Sequence, residues 1–278
     1  MRHPEIQHPY LRRLLTLLAL IVAAPAVQPV AGAASAAASP FPAAVVLYDG
    51  RGGTTPDAQG FTFLTIPPLA AAATQSYDPI KSWTSLDSMP VTGESAGYFA
   101  RVGAVPELDR TAGYTVSLTL QLVAEQHAGS DRNQDGRDDR AGFSLTVLGS
   151  DLRGIELGFW QGRVWAQDDG RDDPEALFTQ AEGAAFDTSA ALATYELRVL
   201  GEGYTLLAGG APLLSGRLRD YTAFEPGPLQ PDPYETPNLV FLGDNTSSAA
   251  ARIHIAAVSL GVGGRALALP LLYGKGGG

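Results

Sequence analysis

Apolar and polar residues alternate with a period of two along much of the chain. Tyr114, Val116, Leu118, Leu120 and Leu122 interleave with Thr115, Ser117, Thr119 and Gln121, the pattern of a strand with one buried and one wetter face. Phe143, Leu145 and Val147 alternate with Ser144 and Thr146 in the same way. Ile155, Leu157 and Phe159 are followed, after a Gln161-Gly162 turn, by Val164 and Ala166. Tyr195 to Leu200, Tyr204 to Ala208 and Pro212 to Ser215 are separated by Gly201-Glu202-Gly203 and Gly209-Gly210, hairpin chemistry because glycine accepts a positive φ. Asn238 to Leu242 and Arg252 to Leu260 close the series, and Ala44 to Tyr48 and Phe61 to Ile66 are candidate first strands. Short strands with glycine and proline punctuation predict an all-β fold, an antiparallel sandwich or barrel.

The N-terminus departs from this pattern. Arg12 and Arg13 precede an apolar stretch from Leu14 to Val27, and small residues follow up to Ala38. This is the layout of an export signal with a small-residue cleavage site. The stretch is shorter than the ~20 residues that cross a bilayer, so no stable membrane span is expected after cleavage. The domains read as a signal peptide over 1–38, one sandwich over 39–264 and a short flexible tail over 265–278. The expected location is extracellular or periplasmic, with association to the cell surface compatible.

The chain of 278 residues carries a formal charge of -10 and no cysteine. Disulfides, cysteine-ligated metals and cysteine nucleophiles are therefore excluded. Removing 1–38 takes away three Arg and one Glu, a net two positive charges, and makes the balance -12. An acidic chain without a basic cluster excludes nucleic acid as the main partner. Only His127 and His254 remain after cleavage, so a metal would be a hard cation held by oxygens.

Tyr195-Glu196-Leu197-Arg198-Val199, Tyr204-Thr205-Leu206, the Gly-Gly turn and Leu213-Leu214-Ser215-Gly216 resemble the meander of concanavalin A-like and laminin-G-like jelly rolls. Asn238 to Asp244 leading into Ile253-His254-Ile255 resembles the paired strands that close such domains. The resemblance spans Phe41 to Val262 and extends to exported bacterial modules of this class. It implies an antiparallel two-sheet jelly-roll sandwich whose members bind glycans or proteins and less often hydrolyse polysaccharides.

Two constellations carry candidate chemistry. Asp131, Asn133, Asp135 and Asp139 place side-chain oxygens at loop positions one, three, five and nine, with Gly136 at six and the Arg137 carbonyl at seven. That spacing collects oxygens around Ca2+, and it resembles the loops of thrombospondin type-3 and dockerin modules. Position twelve, usually glutamate, is Gly142. The other reading of this run is a solvated acidic loop. The second constellation comes from pairing across Gln161-Gly162, which places Trp160 opposite Arg163, Gly158 opposite Trp165 and Glu156 opposite Gln167, all on the face away from the apolar one. Two flat rings with a carboxylate, a guanidinium and an amide suit a sugar platform; the alternative is tryptophans packed under a loop. A second acidic run, Asp168 to Glu175, reads as a solvated loop.

Gly93-Glu94-Ser95-Ala96-Gly97 matches a nucleophile elbow in letters, but the sequence after it reads as strand and not as the required helix. A glycoside hydrolase needs two carboxylates at a fixed separation, and Glu156 alone stands on a strand face beside aromatics. The sequence therefore reads as a secreted, calcium-stabilised, lectin-like module recognising glycans or cell-surface polymers, and not as an enzyme. A structural or adhesive surface protein is the alternative, followed by a glycoside hydrolase.

Overall fold

The computed structural model describes residues 44–66, 72–90, 93–127, 129–227 and 232–263. The signal over 1–38 and the tail over 265–278 lie outside the described residues. In chain order the strands begin with β1 (Val45–Asp49), β2 (Phe61–Ile66), β3 (Thr74–Asp78), β4 (Trp83–Asp87) and β5 (Ser95–Ala100). Next come β6 (Tyr114–His127), β7 (Ser144–Leu148), β8 (Gly154–Trp160), β9 (Arg163–Gln167) and β10 (Gln180–Ala185). The series ends with β11 (Ala193–Leu200), β12 (Gly203–Ala208), β13 (Ala211–Arg217), β14 (Val240–Asp244) and β15 (Ala249–Val262). Among the described residues the only helical pieces are short 3-10 turns.

The strands form two antiparallel sheets, a jelly-roll sandwich. One has the order β13-β12-β11-β6-β15-β4-β3, with β1 also on β15, and the other is β10-β9-β8-β7-β14-β5-β2. Between them the period-two residues meet. Val116, Leu118, Leu120 and Leu122 from β6 pack with Leu145, Val147, Ile155, Leu157 and Phe159 from the facing sheet, all buried. Burying such side chains is worth about 1.5–3 kcal/mol each, which sets the inward face of every strand.

The seven-stranded sheet has a second apolar layer on its outward side. Phe178, Tyr221, Tyr234 and Phe241 pack there with Phe99, Leu177 and Phe224. One row of paired residues runs Trp165, Gly158, Ser144, Gly243, Gly97 and Leu64 across the sheet. Its four central members have little or no side chain, so rings lie flat on the strands. A Cβ on Gly158 would stand 2.6 Å from Trp165 Cζ2, and one on Gly97 would stand 2.4 Å from Phe241 Cε2.

Gly93 and Met89-Pro90 lie in turns, and Ser95 opens β5. The strand-then-helix context of a nucleophile elbow is absent there.

Candidate functional site

The β8-β9 hairpin has the register expected from its two-residue turn: Trp160 pairs with Arg163 and Gly158 with Trp165. The expected third pair, Glu156 with Gln167, is spliced by a side chain. Glu156 N donates to the Tyr221 hydroxyl at 3.1 Å, and that hydroxyl donates to the Gln167 carbonyl at 2.9 Å.

These residues do lie on the outward face, but they do not form an open platform. Trp165, Glu156 and Gln167 are fully buried. The reason is the acidic segment, which docks on them. Three consecutive carbonyls of that segment each accept from a different strand: Asp138 O from Gln180 Nε2 at 2.8 Å, Asp139 O from Gln167 Nε2 at 3.1 Å, and Arg140 O from Trp160 Nε1 at 3.2 Å. Arg163 Nε holds Gln180 by its Oε1 at 2.9 Å. Trp160 is further covered by His127, stacked at 4.5 Å, while Trp165 meets it edge-on at 4.7 Å. The two constellations seen separately in the sequence are thus one assembly, loop upon hairpin.

Within the loop, Asp131 carboxylate oxygens accept from Asp135 N at 3.0 Å and Gly136 N at 2.9 Å. Asp135 N also faces Asn133 Oδ1 at 3.3 Å, and Asp135 Oδ1 accepts from Arg137 N at 2.9 Å. Asp139 is buried and accepts from Arg132 N at 2.6 Å. Burial, followed by the charges of Asp131 and Asp135, pushes its carboxyl up. Among the described residues no three His, Cys, Asp or Glu side chains are gathered to hold a metal ion. Position twelve has a physical bar to glutamate, since a Cβ on Gly142 would lie 2.0 Å from the Ala250 carbonyl carbon.

The second acidic run departs from the solvated expectation at one residue. Asp169 is buried and takes a two-pronged bond from Arg217, Nη2 to Oδ1 at 2.7 Å and Nη1 to Oδ2 at 2.8 Å. Burial raises its pKa, but these bonds and that of Asp220 N outweigh it and hold the carboxyl at about 2.

Beside the docked loop a cavity of ≈ 380 Å³ opens on the outward face of the sheet. Phe99, Phe178, Phe224, Tyr234 and Phe241 supply its aromatic wall, and Arg132, Arg140, Asp244 and Asn245 its polar one. Arg140 is the pivot. Its Nη2 lies 3.1 Å from Glu156 Oε1 and donates to Asn245 Oδ1 at 2.9 Å, while its Cζ sits 4.6 Å from the Phe178 ring centre. Its Nη1 has no hydrogen-bond partner among the described residues. Burial lowers the guanidinium pKa, but Glu156, Tyr234 and Asp244 together outweigh it and raise it. Tyr234 donates to Glu156 Oε2 from the far side, and burial, then that carboxylate, pushes its phenol well up. Asp244 accepts from Ser88 Oγ at 2.7 Å and Thr246 N at 3.1 Å. Burial pushes its carboxyl well up, toward the uncharged acid.

Arg140, Tyr234 and Asp244 were not singled out from sequence.

No family model matches the sequence, and no curated protein matches it. Solved structures share the fold. A carbohydrate esterase from Shiga toxin-encoding bacteriophage phi24B matches with TM-score 0.50 and 11% identity over 80% of this chain and 100% of that one. The carbohydrate recognition domain of Emp46p, metal-free, matches with TM-score 0.44 and 10% identity over 77% and 94%. Alginate lyase A1-II', of polysaccharide lyase family 7, matches with TM-score 0.43 and 10% identity over 71% and 86%. The likeness is one of fold. It overturns the expectation that the chain is not an enzyme, because the same sandwich over a whole chain is the frame of a carbohydrate esterase. No helix among the described residues is long and apolar enough to cross a membrane.

Proposed function

We propose that this protein recognises carbohydrate in the cavity beside Arg140. The observation that carries the reading is the pairing of an aromatic wall with convergent polar groups in one pocket of saccharide size. Flat rings cover the apolar side of a pyranose, and amides, hydroxyls and guanidiniums meet its hydroxyls. Recognition of this kind is the first step for a binding module and for a carbohydrate-acting enzyme alike. Phe224 lines the cavity and belongs to none of the buried ion pairs, so Phe224→Ala tests the pocket. Binding to the best ligand of a broad glycan array falls at least tenfold in this variant and stays unchanged in Arg198→Ala on the other sheet. Absence of any glycan binding removes the reading.

The reading includes Ca2+ at Asp131, Asn133, Asp135, Arg137 and Asp139. Its support is the oxygen-only donor set at the right spacing; a hard cation suits such donors. Arg132 and Arg140 belong to the same segment, so a cation that ordered it would also set the pocket wall. Calcium raises Tm and chelator lowers it; a Tm indifferent to both refutes this part. The reading also places the protein outside the cytoplasm, with a glycan or surface polymer as partner. N-terminal sequencing of the secreted protein, starting at or near Ser39, checks it.

A further inference from the structure

The charges around the cavity point to a narrower ligand class than carbohydrate in general. The whole chain is acidic, at -10, yet the charged residue types lining this cavity are Arg132, Arg140 and Asp244. Asp244 is buried behind Ser88 and Thr246 and is pushed toward its uncharged form. Glu156 neutralises part of Arg140 from beneath, through Nη2, and Tyr234 ties down the other carboxylate oxygen. What lines this side of the pocket is cationic: Arg140, and Arg132, an exposed residue whose Nη1 donates to the neutral Leu177 carbonyl. The natural complement of two arginines at a pocket wall is an anion carried by the ligand. Arginine suits a carboxylate in particular, because its planar fork matches the two oxygens.

We propose that the pocket takes an acidic sugar, with the sugar carboxylate set against Arg132 and Arg140 and the ring face against Phe178 and Phe224. This rests on the carbohydrate reading above and sharpens it. The test uses calorimetry with oligosaccharides of galacturonate, glucuronate and mannuronate, the same oligosaccharides with their carboxyls reduced to alcohols, and oligoglutamate as a carboxylate without a sugar. The expected result is that at least one acidic oligosaccharide binds ten times or more tighter than its reduced form. The preference shrinks several-fold in Arg132→Gln, and affinity falls as salt rises, since a partly exposed ion pair is screened. Equal binding of acidic and reduced forms overturns this inference and leaves the carbohydrate reading standing. Binding of oligoglutamate alone overturns the sugar part, and binding of none of the three sets overturns this inference, whereas the carbohydrate reading falls only if the broad glycan array is blank as well. Because Arg132 is exposed, its variant is expected to keep the wild-type Tm, so lost preference with a normal Tm is a binding effect and not unfolding.

Discussion

Gly158→Ala is the sharpest test of how the hairpin is built. The added methyl would meet Trp165 Cζ2 at 2.6 Å, Cε2 at 2.7 Å and Cη2 at 3.1 Å, against the 3.5–4.0 Å of a favourable carbon contact. The ring has to lift by about 1 Å to reach that contact distance. It is fully buried, faces Gly183 on its other neighbour strand and meets Trp160 edge-on at 4.7 Å, so it has little room. Overpacking of this kind costs about 1–3 kcal/mol, while replacing a mid-strand glycine returns roughly 0.5–1 kcal/mol. The net expectation is a loss of about 1–2 kcal/mol, read as a lower urea midpoint at constant slope by far-UV circular dichroism. Trp165→Phe shortens the ring and should relieve the clash. The double variant is then more stable than the sum of the single changes predicts, by about 0.5 kcal/mol or more. A Gly158→Ala protein as stable as wild type, or strict additivity, refutes the packing argument.

Asp169→Asn removes a carboxylate whose folded pKa, about 2, lies below the ordinary 3.8. Its stabilisation is present above pH ~4 and disappears as pH falls through about 2. Because Arg217 is partly exposed, the discounted loss at pH 7 is about 1 kcal/mol, and chemical denaturation from pH 7 to 3 should show variant and wild type converging; a difference that grows on acidification contradicts it. Tyr221→Phe strips the hydroxyl from both Glu156 N and the Gln167 carbonyl and should cost about 1–3 kcal/mol, seen as a drop in Tm. Gly142→Glu, the change that would complete a calcium-hand pattern, should instead prevent folding, because its Cβ enters the Ala250 backbone; a soluble variant with tighter calcium binding would show that reasoning to be wrong.

Period-two alternation located the inner faces because burial between the sheets is what the pattern encodes. It placed Phe61 to Ile66 correctly and extended naturally to the hairpin register. It missed β3, Thr74–Asp78, β4, Trp83–Asp87, and β10, Gln180–Ala185. β3 and β10 are outermost in their sheets, and their side chains are small, polar or half-exposed, so neither shows an apolar stripe; β4 buries only Thr84 and Leu86, too short an alternation to stand out. The outward face of the hairpin was read correctly as a face, and its cover matches the alternative of tryptophans packed under a loop and not the open sugar platform. Alternation says which way Trp165 points, whereas the docking of carbonyls 138 to 140 onto Gln180, Gln167 and Trp160 depends on pairings between distant segments. The cavity was invisible for the same reason: Arg140, Tyr234 and Asp244 lie far apart in sequence, and none carries a motif.

The phenol rung between β8 and β9 gives the molecule a built-in clock. A backbone rung opens only when two strands part, but here the Glu156 amide is freed as soon as Tyr221 swings away. Tyr221 packs against Phe178 and Tyr234, which stand in the cavity wall. Deuterium uptake at that single amide therefore times the breathing of the wall, and a bound ligand that pins the aromatics slows it with no probe attached to the protein.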